Sequence, residues 1–424
     1  MTTTLLDHAA ANEPYRWLIL GVALFSAFLN AALSALLQPF SNPDIMDAAL
    51  SISFMATLLM ISTVTGIAAA LIGGAAGDCW GTRRMLLTVC CIGGLISVLS
   101  LLPLSPGSLV LTFFLLGIVS PMLTVNLYKI AVHHFPSRQW GLAMGLIATS
   151  VAAGSIVGAS SLTRALLLLF LDGWQARLLL YGLTFVVMGG VWFLFHPREV
   201  VVVDGSPGGN KRVRVSFRRA LRHVLQLRTM WLMGLGILFY WAIVDSFVIN
   251  LSTYLQSANS SLTFIDVVRI NEVRTAILSG MGLIAILPLA LLSDWLQIRR
   301  GLLLVAPLLL LLLMGLAALH QDIWLWVALP VAGAFTYSFG VIYQAMVVEM
   351  PTISRVYAGA ALGFVSMLRA VSDLARPILT ALFLFSEEFS LPIVFVWSIG
   401  LAIAALCMFL FFPRPDKPHN QIPF

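Results

Sequence analysis

Charged residues are scarce in this sequence. Only 10% of its 424 residues are charged, whereas a soluble domain carries roughly 25%. Hydrophobic residues make up 60% of the chain. A protein with so few charged side chains cannot cover its surface against water, which excludes a soluble globular fold. The composition therefore predicts an integral membrane protein whose main solvent is lipid.

Patterns typical of several other protein classes are also missing. The four cysteines, Cys79, Cys90, Cys91 and Cys407, make no disulfide framework. No G-x-x-x-x-G-K-[ST] phosphate loop is present, which argues against ATP as the energy source. The only adjacent histidine pair, His133–His134, does not share one helix face. We therefore expect no enzyme, no cofactor, no bound metal and no nucleic-acid partner.

Long apolar runs are the most regular feature of the chain. A membrane-spanning helix needs roughly 20 predominantly apolar residues, and backbone groups in hydrocarbon must be paired internally. The first run follows a polar start that lacks the basic n-region of a signal peptide, so we expect it to remain as a span. We predict twelve transmembrane helices, at residues 15–38, 50–75, 84–104, 108–131, 141–170, 176–196, 229–256, 273–293, 301–319, 323–348, 357–384 and 391–412.

Lysine and arginine are distributed unevenly between the two ends of these spans. With the N-terminus placed in the cytoplasm, seventeen of the 24 basic residues fall in cytoplasmic segments and three, Arg177, Arg269 and Arg274, fall on the opposite side. The positive-inside rule then places both termini in the cytoplasm. We expect a multi-pass protein of the plasma membrane, the inner membrane of a bacterium.

A polar segment, residues 197–228, separates the first six spans from the last six. Its first part is rich in Gly, Pro and Ser and is typical of a flexible linker. Further on, Phe217, Leu221, Val224 and Leu225 fall on one side at helical spacing, and basic residues cover much of the rest. This pattern predicts a short helix on the cytoplasmic surface, attracted to anionic lipid. The alternative is a solvated basic linker without fixed structure.

The parts of the chain before and after this linker share an internal sequence repeat. Gly141 and Gly145 in span five match Gly359 and Gly363 in span eleven at one constant offset. Internal repeats of this kind are the architecture of many secondary transporters. We predict two six-helix bundles, an N-terminal half of residues 1–196 and a C-terminal half of residues 229–424.

The loop between spans two and three reads GGAAGDCWGTRRMLL. It resembles the signature loop of the major facilitator superfamily, a pattern close to G-x-x-x-D-R-x-G-R-R/K. Cys79 stands where an arginine is common, and Thr82 stands where the first arginine of the pair is common. Five residues match the pattern: Gly74, Asp78, Gly81, Arg83 and Arg84.

The pattern recurs between spans eight and nine as ALLSDWLQIRR, with Asp294, Arg299 and Arg300; Ala290 and Gln297 replace its glycines. Glycines allow tight turns, and an aspartate beside a helix N-terminus is stabilised by the helix dipole. The resemblance covers essentially the whole chain. It implies an all-α membrane protein of twelve helices in two pseudo-symmetric bundles. It also implies that both loops help to latch the two halves in one state of a transport cycle.

Ionisable groups inside a span are costly and indicate a functional site. Ser366, Arg369, Asp373, Arg376 and Thr380 form one polar stripe on span eleven at helical spacing. We predict that Arg369 or Arg376 binds an anionic substrate and that Asp373 takes a proton or fixes the geometry. An internal ion pair between Arg369 and Asp373 that fixes helix packing is the alternative.

Other spans carry further candidates. Asp245 in span seven is a candidate proton site, a counter-ion for span eleven, or a structural partner. Lys129 near the end of span four either binds substrate or extends to the membrane surface. Three more residues are predicted to line a substrate cavity: Asn30, Tyr343 and Gln344.

These features predict a secondary carrier for a small-molecule substrate, acting as a monomer. The positive stripe on span eleven and Lys129 favour a small organic anion, with protons as a candidate coupling ion. The alternative is a proton-coupled drug efflux antiporter, although Phe113 occupies the position where such antiporters usually have an arginine four residues before Gly117. A solute sensor with a transporter-like fold is a second alternative.

Overall fold

Helices make up nearly all of the chain that the computed structural model describes, and no strand occurs among those residues. The described residues are 13–37, 52–103, 105–160, 173–195, 216–258, 264–296, 299–318, 322–350, 352–353, 355–374, 399–400 and 402–407.

Twelve α-helices of ten or more residues follow one another along these ranges. Eleven of them match predicted spans one to eleven in order, and α7 falls in the predicted linker. Their bounds are α1 Glu13–Leu36, α2 Ile52–Trp80, α3 Thr82–Leu99, α4 Pro106–His134, α5 Trp140–Ala159, α6 Trp174–Phe195, α7 Phe217–Gln226, α8 Arg228–Ala258, α9 Phe264–Leu296, α10 Arg299–Ala318, α11 Asp322–Glu349 and α12 Ala358–Asp373.

Seven of the described helices, α1 to α6 and α11, are long and apolar enough to cross a membrane. The pair formed by α7 and the first part of α8, bent by 76°, would make an eighth. Two shorter apolar segments, Gly280–Leu296 and Gly301–Leu312, belong to α9 and α10. The prediction of a multi-pass membrane protein is thereby confirmed.

The predicted limits are wrong for span five, which was expected to run to residue 170. Helix α5 ends at Ala159, because the backbone of Ser160 is extended, with ψ of 140°. The Ser160 N–H donates instead to the Val157 carbonyl at 3.2 Å. Apolar residues continue beyond this point in the sequence, so composition alone did not reveal where the helix ends.

Local sequence explains two other helix boundaries. Gly81 separates α2 from α3 with φ of 87°, a left-handed conformation that side chains with a Cβ atom disfavour. At the start of α4, Ser105 and Ser108 form a capping box in which each side chain accepts a hydrogen bond from the other residue's backbone N–H. Pro106 occupies the first turn of α4, where its missing N–H costs nothing.

Buried hydrophobic residues form two clusters. The first draws most of its members from residues 19–192, with smaller contributions from α9, α11 and α12. The second draws nearly all of its members from residues 220–405, and Ala75 of α2 is the exception. Large apolar side chains such as Leu194 and Ile284 stay exposed on the outside, as expected of surfaces that face lipid.

Helix α7 packs on the bundle through a narrower face than the sequence suggested. Ala220 and Val224 are fully buried, whereas Phe217, on the predicted apolar side, is 38% exposed. The His223 ring lies 4.4 Å from the ring of Tyr357, the residue that precedes α12. Helix α7 therefore lies beside the start of α12.

Candidate functional site: two charged junctions and a central arginine

The carboxylate of Asp78 lies where α2 meets the N-terminus of α12. Its oxygens accept hydrogen bonds from the backbone N–H groups of Gly359, at 3.0 Å, and Ala360, at 2.7 Å. The first N–H groups of a helix have no partner within the helix, and the helix dipole favours a negative charge beside them. Asp78 therefore ties the N-terminal half of the chain to the first turn of α12.

Lys129 of α4 supplies the cation that faces this carboxylate. Its Nζ lies 3.0 Å from Asp78 Oδ1 and donates to the Gly77 carbonyl at 2.6 Å. The Asp78 side chain is fully buried and that of Lys129 is 4% exposed. Buried charges are costly unless they are paired and hydrogen-bonded, and both conditions are met here. We call Asp78, Lys129 and the N–H groups of Gly359 and Ala360 the first junction.

Glycines allow α2 and α12 to approach backbone to backbone beside the first junction. A Cβ atom on Gly74 would lie 2.1 Å from the Gly359 carbonyl oxygen and 2.9 Å from the Gly363 Cα. A Cβ atom on Gly363 would lie 2.6 Å from the Ala70 carbonyl oxygen. The first glycine of the motif therefore serves a helix crossing and not the turn that the sequence suggested, which is made by Gly81.

The second copy of the motif makes an equivalent contact with α5. Asp294 Oδ2 accepts a hydrogen bond from the Leu142 N–H at 2.9 Å, and Asp294 Oδ1 pairs with Arg299. The Arg299 Nη1 also lies 2.5 Å from Glu349 Oε1. We call Asp294, Arg299, Glu349 and the Leu142 N–H the second junction. Asp78 and Asp294, for which a conformational role is predicted, thus occupy equivalent places in the two halves.

Glu349 is the member of the second junction that the sequence did not reveal. It follows predicted span ten directly, and an acidic residue at the end of an apolar run is typical of a surface position. In the structure its side chain is 19% exposed and faces the buried Arg299. The paired arginines of the motif signal that a carboxylate should lie close to them in space. Glu349 is far from Arg299 in the sequence, so this signal did not identify it.

The other motif arginines make different contacts. The Arg83 Nη2 donates to the Phe193 carbonyl at 2.7 Å, and its guanidinium carbon lies 5.2 Å from the centre of that residue's ring. Arg83 therefore anchors α3 to the end of α6. Arg84 is exposed, and the side chain of Arg300 lies outside the described residues.

Arg369 is an exposed cation in the last turns of α12 and near the middle of predicted span eleven. Its guanidinium carbon lies 4.2 Å from the centre of the Trp241 ring of α8, a cation–π geometry. A Cβ atom on Gly340 of α11 would lie 3.8 Å from the same indole ring. We call Arg369 and Trp241 the central site.

Three residues predicted to line a cavity are buried in this conformation. The Asn30 Nδ2 donates to the Ser120 Oγ at 3.1 Å, joining α1 to α4. The Tyr343 hydroxyl donates to the Met233 carbonyl, joining α11 to α8. The Gln344 Oε1 has no hydrogen-bond partner in the described structure. A substrate role for these three residues stays a prediction.

Asp373, the last residue of α12, is half-buried. The ion pair between Arg369 and Asp373, the alternative considered for this stripe, does not occur among the described contacts; Arg369 lies over Trp241 instead. Asp245 belongs to α8, but its side chain lies outside the described residues, as does all of Arg376. Binding of a proton by Asp245 and of substrate by Arg376 stays a prediction.

The described residues contain no group of three His, Cys, Asp or Glu side chains able to hold a metal ion. They do contain two ion-paired junctions that join helices of the N-terminal half to helices of the C-terminal half. An arrangement of this kind can hold or release two halves of a bundle.

Comparison with solved structures shows the fold. FucP, a Major Facilitator Superfamily transporter solved in the outward conformation, matches with a TM-score of 0.69 and 12% identity over 95% of this chain and 99% of that one. A variant of the E. coli fucose:proton symporter FucP matches with a TM-score of 0.67 and 12% identity over 93% of this chain and 98% of that one. The human organic anion transporter MFSD10 (TETRAN) matches with a TM-score of 0.68 and 14% identity over 93% of this chain and 99% of that one.

Sequence comparison gives the family. No curated protein matches the sequence. The family model of the Major Facilitator Superfamily, in contrast, matches residues 23–375, well over half of the chain. The two Asp/Arg loops and the helical architecture agree with that match. The chain therefore belongs to the Major Facilitator Superfamily of membrane transporters.

Proposed function

We propose that this transporter is a secondary active carrier of a small organic anion and that Arg369 binds the anion. The supporting observation is the position of Arg369, exposed in the central site over Trp241. Among the described residues, no acidic side chain is paired with it. A cation within a span is costly and marks a substrate or ion pathway. A guanidinium can bind a carboxylate through two parallel hydrogen bonds.

The two junctions support transport by alternating access. Both lie at one end of the bundle, where α2, α4, α9 and α11 end and where α5 and α12 begin. Alternating access requires the halves to part at one end while they close at the other. The distribution of basic residues favours a cytoplasmic position for this end, and the conformation is accordingly proposed to be a state closed toward the cytoplasm.

Coupling to protons is proposed through Asp373 or Asp245, since both carboxylates lie on helices that contribute to the central site. Among the similar structures, one is a fucose:proton symporter and another is an organic anion transporter. At 12% and 14% identity, these likenesses support the fold and carry no argument about the cargo.

Anionic lipid is the proposed partner of α7. Arg218, Arg219 and Arg222 are exposed on this helix, opposite the buried Ala220–Val224 face. The 76° bend between α7 and α8 turns α7 toward the membrane plane when α8 crosses the bilayer. Each basic residue near an anionic leaflet contributes about 1 kcal/mol to the attraction. We propose that the carrier acts as a monomer in the plasma membrane.

The first test is ligand binding by the purified protein. A thermal-shift series with monocarboxylates, dicarboxylates, neutral sugars and hydrophobic cations identifies the class that stabilises the folded state. The most strongly stabilising carboxylate, radiolabelled, is then used for counterflow in proteoliposomes. Arg369→Gln should abolish counterflow, because the carboxylate loses its cation, and Arg138→Gln should leave it unchanged. Arg138 is also exposed but lies in the connection between α4 and α5.

Other outcomes of the thermal-shift and counterflow assays contradict particular parts of the proposal. Full counterflow by Arg369→Gln contradicts the role of Arg369. Stabilisation by sugars or cations alone contradicts the anionic substrate class. Stabilisation by a carboxylate without counterflow by the native protein indicates a sensor and not a carrier.

A further inference from the structure

Lys129 occupies the place of a cation that the first loop motif lacks. In the family pattern an arginine commonly follows the aspartate, but here Cys79 follows Asp78. The structure brings Lys129 from a different helix to 3.0 Å from the Asp78 carboxylate. A cation on residue 79 would therefore act on the same carboxylate as Lys129.

We propose that Lys129 is a positioning residue of the first junction that replaces the missing motif arginine, and that it does not bind substrate. Its ammonium has two hydrogen-bond acceptors, Asp78 Oδ1 and the Gly77 carbonyl oxygen. The residue is 3% exposed, so no solute reaches the ammonium in this state. Lys129 also holds the Asp78 carboxylate in line with the N–H groups that begin α12.

The second junction also has a cation beside its aspartate, but that cation comes from a different element of the fold. There, the partner of Asp294 is Arg299, which stands five residues after the aspartate, where the first loop has Arg83. In the first loop Arg83 contacts Phe193 instead. The cation comes from the loop itself, and α11 contributes the carboxylate of Glu349. In the first junction the cation comes from α4 and the loop contributes none to Asp78. Each junction thus contains one cation beside its aspartate, although only the second takes it from the motif.

Removal of Lys129 leaves a buried carboxylate in the closed state without its counter-ion. When the halves part, water reaches Asp78 and its need for a counter-ion falls. Lys129→Met should therefore favour the open state of this end. Because breaking a buried ion pair is strongly destabilising, we expect a shift of about tenfold or more in the closed-to-open ratio.

The experiment measures distances between spin labels on exposed residues 88 and 296, which lie in α3 of the N-terminal half and α9 of the C-terminal half. The parent protein has its four native cysteines replaced by serine and is reconstituted in nanodiscs without substrate. Lys129→Met should enlarge the long-distance population. Cys79→Arg in the Lys129→Met protein should restore the short distance, because it places a cation beside Asp78 again.

These spin-label distances do not depend on which solute the transporter carries, because they are measured without substrate. An unchanged distance distribution in Lys129→Met, or a failure of Cys79→Arg to restore the short distance, overturns the proposal. If Lys129→Met does not fold, the double variant with Asp78→Asn decides the question. Recovery of folded protein in the double variant supports the pairing, since no buried charge is then left alone. Failure of the double variant to fold overturns the proposal, because Lys129 is then needed for another reason.

Discussion

A methyl group added at Gly74 tests whether the α2–α12 crossing holds the protein in its closed state. The Cβ atom of Gly74→Ala would lie 2.1 Å from the Gly359 carbonyl oxygen, 2.9 Å from the carbonyl carbon and 2.9 Å from the Gly363 Cα. These neighbours are backbone atoms, which cannot turn away as a side chain can. Helix α12 must therefore move away from α2 by about 1 Å or more to reach ordinary contact distances.

This displacement acts directly on the first junction. The Asp78 carboxylate binds the N–H groups of Gly359 and Ala360 at 3.0 and 2.7 Å, so a shift of this size weakens both hydrogen bonds. Overpacking typically costs about 1–3 kcal/mol. Because the clash disappears when the halves part, this cost falls on the closed state alone. We therefore expect the closed-to-open ratio to fall by a factor of about 5 to 150.

The assay is the same spin-label distance between residues 88 and 296, supported by reaction rates of cysteines introduced near the junction. Gly190→Ala in α6 is a matched control, because a Cβ atom there meets nothing within 4 Å. Gly190→Ala should leave the distances unchanged and keep the protein folded. A closed population in Gly74→Ala equal to that in Gly190→Ala would refute the view that backbone contact at this crossing sets the closed state.

Two further predictions concern the turn after α2 and the second junction. Gly81→Ala should lower the melting temperature by a few degrees, because the positive φ of Gly81 costs about 1–2 kcal/mol for a residue with a Cβ atom. The control in the same thermal-unfolding measurement is Gly301→Ala, since a Cβ atom on Gly301 would meet open space. Glu349→Gln leaves Arg299 paired with Asp294, so by spin-label distances it should open this end less than Asp294→Asn, which weakens the acceptor for the Leu142 N–H. An effect of Glu349→Gln that equals or exceeds that of Asp294→Asn would contradict this order.

The helices were predictable because lipid imposes simple requirements on a spanning segment. The beginnings of α1 to α6 fall within two residues of the predicted limits, since each apolar run starts where polar residues stop. The end of α5 was not predictable, because it depends on the backbone conformation of Ser160 and not on composition. The narrow buried face of α7 was likewise set by the surface on which it packs.

The candidate site was predictable only in part. The loop motif singled out Asp78 and Asp294, and both make contacts between the two halves; their conformational role stays a prediction. Lys129 and Glu349 are far in sequence from the charges they face, so no local spacing revealed their partners. For Arg369, helical spacing suggested Asp373, whereas the structure selects an aromatic ring on another helix. Pairings across helices depend on how the helices are arranged, and a single sequence does not contain that arrangement explicitly.

The origin of the charges in each junction has a consequence for the effect of salt. Asp78 and Lys129 both belong to the N-terminal half, and Asp294 and Arg299 both belong to the C-terminal half. When the halves part, each aspartate keeps its own cation, and the contacts that break between halves are hydrogen bonds to uncharged backbone N–H groups. Ionic strength screens separated charges most strongly. Opening this end separates no ion pair of either junction and should therefore proceed much the same in dilute and in concentrated salt.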